Sequence, residues 1–142
     1  MQIILKERLQ AYIIEHNPEL VNGLKADLSM NSYLEGRVKS VMPYVLELIS
    51  EDKPGHVIEE LALEQMTASL RPSKFDYLKA LVAEEFTEDF QLFKRRGVLT
   101  FETLNLVDHC QDIFETFSFS EANEQYNLLR HALIARIRQY LV

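Results

Sequence analysis

Apolar residues recur along this chain in steps of three and four, the spacing that places side chains on one face of an α-helix. The longest such stripe runs from Leu34 to Ile49, and another runs from Tyr126 to Tyr140. The alternation of apolar and polar residues that is typical of a half-buried strand is not sustained anywhere in the sequence. The pattern predicts an all-α protein, an irregular bundle of about six helices joined by short loops.

Residues that cap or interrupt helices mark the boundaries of the predicted elements. Asn17 and Pro18 separate a first helix, over about residues 2–16, from a short one that ends near residue 25. Between residues 86 and 100 the boundaries stay open, with Thr87 as the start of a fresh turn and Gly97 as the end of the region. N-caps are predicted at Ser32, Ser73, Thr100 and Ser120.

Length and composition place the chain among ordinary globular proteins. Its 142 residues, of which 47% are hydrophobic, suffice for a packed core, and we predict a single domain over residues 1–142. Cys110 is the only cysteine, so no internal disulfide can form, which indicates a reducing compartment. The apolar run at the start is too short for a signal peptide, and no run reaches the roughly 18 residues of a membrane span. We therefore predict a cytoplasmic protein without membrane contact.

The charge of the chain disfavours general binding of nucleic acid. It has 15 basic and 22 acidic residues, and the net charge of −7 repels phosphate at long range. The basic run Lys94, Arg95 and Arg96 is predicted to be a solvated loop, and Arg136 and Arg138 follow near the C-terminus. A regulatory module that touches nucleic acid through these cations is the alternative function.

Two charged residues fall on apolar helix faces. Glu85 lies within about 20° of Leu78 at 100° per residue, and Arg130 falls between Ile137 and Leu141 on the face of the last helix. A buried charge without a partner is strongly destabilising, so each of the two residues needs one. We predict a buried polar contact between Glu85 and Arg130, with a functional cleft at Glu85 as the alternative.

Candidate catalytic and metal-binding residues are few. His109 and Cys110 are adjacent, and neighbouring side chains on a helix point about 100° apart, which does not suit the ligand spacing of a zinc site. Glycine-rich phosphate loops and the common hydrolase and metalloprotease motifs are absent from the sequence. We therefore predict no metal and no cofactor, and an enzyme that uses Glu85 or Cys110 is the third hypothesis.

The segment before the last helix carries two aromatic residues, Phe117 and Phe119. We interpret them as a hydrophobic staple that closes this turn onto the core. A patch that faces a protein partner is the alternative interpretation.

Three stretches of the chain carry a family resemblance. The element Ser73–Asp76 is followed by an apolar stretch that ends at Glu84–Phe86, and the tail Tyr126–Leu141 continues in similar order. In these features the chain resembles an uncharacterised all-helical family of Bacteroidetes-type bacteria, the domain of unknown function family 1896. Asn17 departs from the family pattern, which tends to have histidine before the proline. The resemblance implies an α-helical protein without an assigned activity, and it transfers no catalytic residue.

The helical pattern, the acidic charge and the lack of catalytic motifs lead to one functional interpretation. We expect a non-catalytic helical interaction or accessory domain rather than an enzyme. Its expected partner is another protein or a second copy of the chain.

Overall fold

The computed structural model describes residues 1–23 and 27–142, and within these ranges the chain forms nine α-helices, one 3₁₀ turn and no β-strand. The α-helices are α1 (Gln2–His16), α2 (Pro18–Gly23), α3 (Asp27–Ser50), α4 (Gly55–Thr67), α5 (Lys74–Glu85), α6 (Thr87–Arg96), α7 (Leu99–His109), α8 (Gln111–Thr116) and α9 (Asn127–Leu141). The prediction of an all-α protein is confirmed. The predicted end of the second helix, near residue 25, lies outside the described residues.

The chain divides into two compact units. Unit 1 is Met1–Arg71, which contains α1 to α4 and the 3₁₀ turn Ala68–Leu70. Unit 2 is Pro72–Val142, which contains α5 to α9. The assignment of one domain to residues 1–142 stays a prediction.

Unit 1 is built around α1, α3 and α4, which pack against one another through aliphatic side chains. Leu5, Leu9 and Ile13 follow at intervals of four residues and place one face of α1 fully in the core. The apolar stripe predicted on α3 supplies the opposing surface, where Val45 is fully buried. Periodic apolar positions therefore define the core face of each long helix in this unit.

Arg37 of α3 completes the end of α4. Its Nη2 donates to the carbonyl oxygen of Met66 at 2.5 Å and to Ser69 Oγ at 2.8 Å. Carbonyl groups in the last turn of a helix have no partner within that helix. A side chain from the neighbouring helix therefore satisfies the end of α4 and links α3 to it.

Unit 2 packs α5 against α7, α6 against both of these helices, and α7 and α8 against α9. Its buried cluster combines aliphatic residues with Phe75 and Phe114. The ring of Phe114 lies 6.3 Å from the ring of Tyr77 and 4.8 Å from that of Phe119, distances typical of aromatic pairs. The last helix enters this cluster through Leu133, which is fully buried, as its apolar stripe predicts.

The described residues contain more helices than the predicted six because the backbone turns at the half-buried Phe86 and at the buried Cys110. Phe86 (φ −132°, ψ 54°) separates α5 from α6, so the fresh turn considered at Thr87 is α6. Cys110 (φ −105°, ψ 4°) separates α7 from α8. After each break the new helix contributes an aromatic ring: Phe90 of α6 packs against the core, and Phe114 of α8 is buried in it. Apolar periodicity did not show these breaks because the three- and four-residue spacing continues across them.

Of the four predicted N-caps, only Ser73 is correct. Ser73 caps α5, since its Oγ accepts a hydrogen bond from the backbone N–H of Asp76 at 3.0 Å. The prediction at Thr100 is wrong because α7 already begins at Leu99, directly after the turn that ends α6. The prediction at Ser32 is also wrong, since Ser32 lies inside α3, which begins upstream of it.

The predicted cap at Ser120 is wrong because the last helix begins only at Asn127. Asn123 organises the chain between the two positions. Its Oδ1 accepts from the backbone N–H of Ser120 at 2.8 Å, and its Nδ2 donates to the carbonyl of Phe117 at 2.7 Å. A side chain that bonds the backbone in this way stabilises turns in place of a helix.

Candidate functional site

A polar cavity of about 350 Å³ lies in unit 2, bordered by α5, the first turn of α9 and the segment before α9. It is lined by Tyr77, Ala80, Leu81, Glu84, Glu124, Gln125, Asn127 and Arg130. Of these residues, the sequence analysis singled out only Arg130.

Arg130 connects the two helices that border this cavity. Its Nη2 donates to Glu85 Oε1 at 2.8 Å and to Glu84 Oε2 at 2.9 Å. The structure thus brings Glu85 and Arg130 together, but the expectation that the pair is buried is wrong, because the two side chains are 42% and 31% exposed. Glu85 is the last residue of α5 and Arg130 lies in the first turn of α9. Water reaches these helix ends, although the same faces are buried further along each helix.

The charges in this contact oppose the dipoles of their own helices. Glu84 and Glu85 stand at the negative C-terminal end of α5, and Arg130 stands near the positive N-terminal end of α9. The ion pairs offset both unfavourable placements. Hydrogen bonds to Glu85, and then to Glu84, raise the pKa of Arg130 above its ordinary value, so the guanidinium stays charged. The cluster therefore acts as a bridge between α5 and α9.

Tyr77 is the other ionisable group of the cavity with a shifted pKa. Burial raises the pKa of its phenol, and the nearby charge of Arg130 opposes that rise in part. The cavity thus offers carboxylates, amides and a protonated phenol, a set that forms hydrogen bonds but pairs no nucleophile with a base. Sequence reasoning missed Tyr77, Glu84 and Glu124, because only the packing of α9 beside α5 gathers them.

Cys110 and His109 lie in different surroundings. Cys110 is fully buried, and burial raises the pKa of its thiol to about 11, so the thiol is protonated at neutral pH and a poor nucleophile. His109 is exposed, and its ring lies 4.9 Å from the ring of Tyr140. Within residues 1–23 and 27–142, no three His, Cys, Asp or Glu side chains are grouped so that they could hold a metal ion. The expectation of no metal and no cofactor stays a prediction.

The basic run Lys94–Arg96 is not the loop that the sequence analysis expected, because it forms the last turn of α6. Gly97, at φ 70°, ends the helix, and its N–H donates to the carbonyl of Lys94 at 3.1 Å. The N–H of Val98 donates to the carbonyl of Phe93 at 3.0 Å. Together these bonds form a Schellman motif, which satisfies the last carbonyls of a helix. The three cations lie at the negative end of the helix dipole and stabilise the last turn of α6, which ends at Gly97.

This turn places apolar side chains beside the cations. A Schellman motif brings together the residues on either side of it, here Phe93 and Val98, which are both half-buried. Phe101 lies in the first turn of α7, three residues after Val98, and is 62% exposed. We call Phe93–Phe101 the α6–α7 corner. Sequence reasoning missed Phe101 because its three-residue spacing to Leu104 resembles that of a core position.

The arginines near the C-terminus have partners within unit 2. Arg136 donates to both carboxylate oxygens of Asp112, at 2.9 and 3.1 Å, and to the carbonyl of His109 at 2.5 Å. The hydrogen bond between Arg136 and Asp112 lowers the pKa of the carboxyl and raises that of the guanidinium. The guanidinium of Arg138 lies 5.9 Å from the ring centroid of Phe86. Arg136 is therefore engaged by an acid and does not extend a positive surface.

Phe117 and Phe119 pack onto the core of unit 2, and both are half-buried. Phe119 lies 5.3 Å from the ring of Tyr77, and Phe117 lies 6.1 Å from the ring of Tyr126. This packing favours the hydrophobic staple over the partner-facing patch. The exposed aromatic side chain of this unit with the greatest exposed fraction is instead Phe101.

Comparisons with known proteins identify a family. A family model described as a domain of unknown function, DUF1896, matches residues 4–141, and the chain belongs to this family. No curated protein and no solved structure matches the chain. Among the helices that the structure describes, none is both long and apolar enough to cross a membrane.

Proposed function

We propose that this member of the DUF1896 family is a non-catalytic interaction domain that binds an acidic, partly apolar segment of a protein partner at the α6–α7 corner. The observation that carries the proposal is the exposed ring of Phe101 in the first turn of α7, which directly follows the three exposed cations at the end of α6. The helix dipole accounts for cations at the end of α6, but it gives no reason for an exposed phenylalanine next to them.

The cations of the corner are open to a partner. Arg95 and Arg96 are exposed and form no ion pair with any other residue in the described parts of the chain. Lys94 lies over the ring of Phe90, with its Nζ 5.8 Å from the ring centroid. Arg130 and Arg136, in contrast, are held by carboxylates of the same unit. The net charge of the chain is −7, but the corner carries a local cluster of positive charge. This local cluster favours a partner segment with acidic side chains.

An acidic protein segment fits the corner better than nucleic acid does. Phosphate binding requires positive charge along several nucleotides, whereas Glu88 and Asp89 occupy the first turn of the same ten-residue helix. Aromatic and arginine side chains, which the corner combines, are the residues that contribute most in protein interfaces. We also propose a location in the cytoplasm, which agrees with the single, buried and unpaired Cys110.

A phage-displayed library of random linear peptides, panned on the immobilised full chain, tests this proposal. We expect the enriched peptides to combine Asp or Glu with aromatic or large aliphatic residues. Synthetic copies of them, titrated by calorimetry, should bind Phe101→Ser and the double variant Arg95→Gln/Arg96→Gln at least about tenfold more weakly than the original chain.

Two control variants lie elsewhere in unit 2. Leu128→Ser removes another exposed apolar side chain, 59% exposed, and Lys74→Gln/Lys79→Gln removes two positive charges from α5. Both should bind the peptides as the original chain does. Enriched peptides without acids, or equal losses in the control variants, would overturn the proposal. Tighter binding of a single-stranded oligonucleotide, lost in Arg95→Gln/Arg96→Gln, would support the nucleic-acid alternative instead.

A further inference from the structure

Helix α3 carries apolar side chains on a second face, beside the face that forms the core of unit 1, and one of them, Met42, also packs against that core. Met42, Leu46 and Ile49 follow one another in steps of four and three, so they lie on one side of the helix. Met42 is half-buried, whereas Leu46 is 61% exposed and Ile49 is 49% exposed. We call these three residues the α3 stripe.

The α3 stripe is exposed because α1 covers only part of α3. Ile3, near the start of α1, and Met42 line a groove of about 510 Å³ between the two helices. Leu46 and Ile49 lie about one and two turns further along α3, past the beginning of α1. Ile3 is itself 74% exposed and extends the apolar surface beside Met42. The stripe is therefore an apolar helix face that, in the parts of unit 1 that the structure describes, no other helix covers.

Two opposite charges lie to the same side of the stripe, Lys39 next to it and Glu47 further around α3. Counted from Met42 at 100° per residue, Lys39 lies at about 60° and Glu47 at about 140° around α3. Both side chains are exposed, and neither forms an ion pair with the residues that the structure describes. One end of the stripe thus carries an available cation, and the other end carries an available anion.

We propose that the α3 stripe binds a second copy of the chain, with the two α3 helices antiparallel about a two-fold axis at the level of Tyr44. This axis places Met42 of each copy opposite Leu46 of the other. The two-fold axis lies in the interface and is perpendicular to both helices. Residues on one side of the stripe in the first copy therefore lie on the same side of the interface as their equivalents in the second copy. Lys39 of each copy therefore comes within reach of Glu47 of the other, and the contact forms twice in each dimer.

A second copy suits this surface because the same residues can form both sides of a two-fold interface. Steps of four and three are the spacing of the residues that interdigitate when two helices pair. The charges on one side of the stripe complement themselves once the second helix runs in the opposite direction. The surface belongs to unit 1, so this inference does not rest on the function proposed for the α6–α7 corner of unit 2.

Sedimentation velocity of the full chain between about 5 and 500 µM, a range suited to a small interface, tests the pairing. We expect a shift from monomer to dimer as the concentration rises. Leu46→Glu should lower the association constant at least about tenfold, because it removes a leucine from the interface and adds two charges. Leu128→Glu, which changes a similarly exposed leucine in unit 2, should associate as the original chain does. Circular dichroism of both variants should match that of the original chain.

A charge exchange tests the antiparallel register. Lys39→Glu alone and Glu47→Lys alone each place like charges together twice, so each variant should associate more weakly than the original chain. A mixture of the two variants restores both opposite-charge contacts and should form a heterodimer about as strong as the original dimer. A chain that stays monomeric throughout, equal effects of Leu46→Glu and Leu128→Glu, or a mixture no stronger than its components would overturn the proposal.

Discussion

Unit 1 contains the longest described helix, α3, whereas unit 2 is divided among five shorter helices. Helix α3 has 24 residues, and the longest helix of unit 2, α9, has 15. The core of unit 1 is aliphatic apart from Met66, and that of unit 2 also contains Phe75, Phe114 and Cys110. Aliphatic side chains at a regular spacing pack along a straight helix, but large rings fill space unevenly. The same three- and four-residue spacing of apolar residues therefore forms an aliphatic core in unit 1 and a partly aromatic core in unit 2.

The two units also differ in the charges and apolar side chains at their surfaces. In unit 2, Arg130 and Arg136 each connect two helices through ion pairs with carboxylates, and exposed apolar side chains include Phe101 and Leu128. Unit 1 leaves an aliphatic face open at Leu46. These surfaces lead to two different proposals, an acidic partner for unit 2 and a second copy of the chain for unit 1.

Charges placed in either core should have the largest effect. Leu133→Asp in unit 2 and Leu9→Asp in unit 1 each replace a fully buried leucine. An unpaired buried charge costs several kcal/mol, against a total stability of roughly 5–15 kcal/mol. We expect unfolded or insoluble protein, measured by circular dichroism and solubility. In two-dimensional NMR spectra, the single-domain prediction requires both units to lose their dispersed signals in each variant. Dispersed signals that persist from the unchanged unit would contradict it.

Alkaline pH should destabilise unit 2 through its buried thiol. The pKa of Cys110 is raised from 9.0 to about 11, so its protonated form is favoured in the folded state. This contribution is fully present below pH 9 and is lost as the pH rises through 11, up to about 2–3 kcal/mol. Urea unfolding of the original chain between pH 8 and 11 should show a steeper loss than that of Cys110→Ala.

Burial also raises the pKa of Tyr77 and of Tyr140, and both groups remain in the Cys110→Ala variant. Their contributions therefore cancel in the comparison of the two chains. Identical slopes against pH would mean that the thiol ionises as readily in the folded chain as in the unfolded one.

The cap of α5 should have an intermediate effect. Ser73→Ala removes the acceptor for the backbone N–H of Asp76 and should cost about 1 kcal/mol. Ser120→Ala, at the position where the sequence predicted a cap but no helix begins, should leave the stability within about 0.5 kcal/mol. Denaturant unfolding of both variants measures the difference. Equal losses would show that capping is not the source of the effect at Ser73.

The bridge between α5 and α9 should have the smallest effect. A buried pair would lose several kcal/mol on removal of one partner, but Arg130 and Glu85 are partly exposed, so their coupling should be about 0.2–1 kcal/mol. Glu85→Gln should cost less than Arg130→Met, because Glu84 still accepts a hydrogen bond from Arg130 in the first variant. A double-mutant cycle of Glu85→Gln and Arg130→Met measures the coupling. Strictly additive losses would mean that the contact contributes nothing to stability.

The sequence predicted the helical faces correctly where side chains repeat over several turns. Leu5, Leu9 and Leu133 lie in the core because one helical face must leave water, whatever the packing partner. Ser73 was also predictable as a cap, because its bond to Asp76 is made within four residues. Interactions of this kind depend on residues that are close in the chain, which is why the sequence alone determines them.

Tertiary structure decided the features that depend on distant residues. Periodicity placed Glu85 and Arg130 on apolar faces, but it could not show that both stand at helix ends, where water reaches them. After the breaks at Phe86 and Cys110, Phe90 packs against the core of unit 2 and Phe114 is buried in it, contacts with residues that are distant in the sequence. The exposure of Leu46 likewise depends on where α1 begins beside α3. Whether a residue is buried depends on which helices pack around it. The sequence pattern indicates only which face of each helix is apolar.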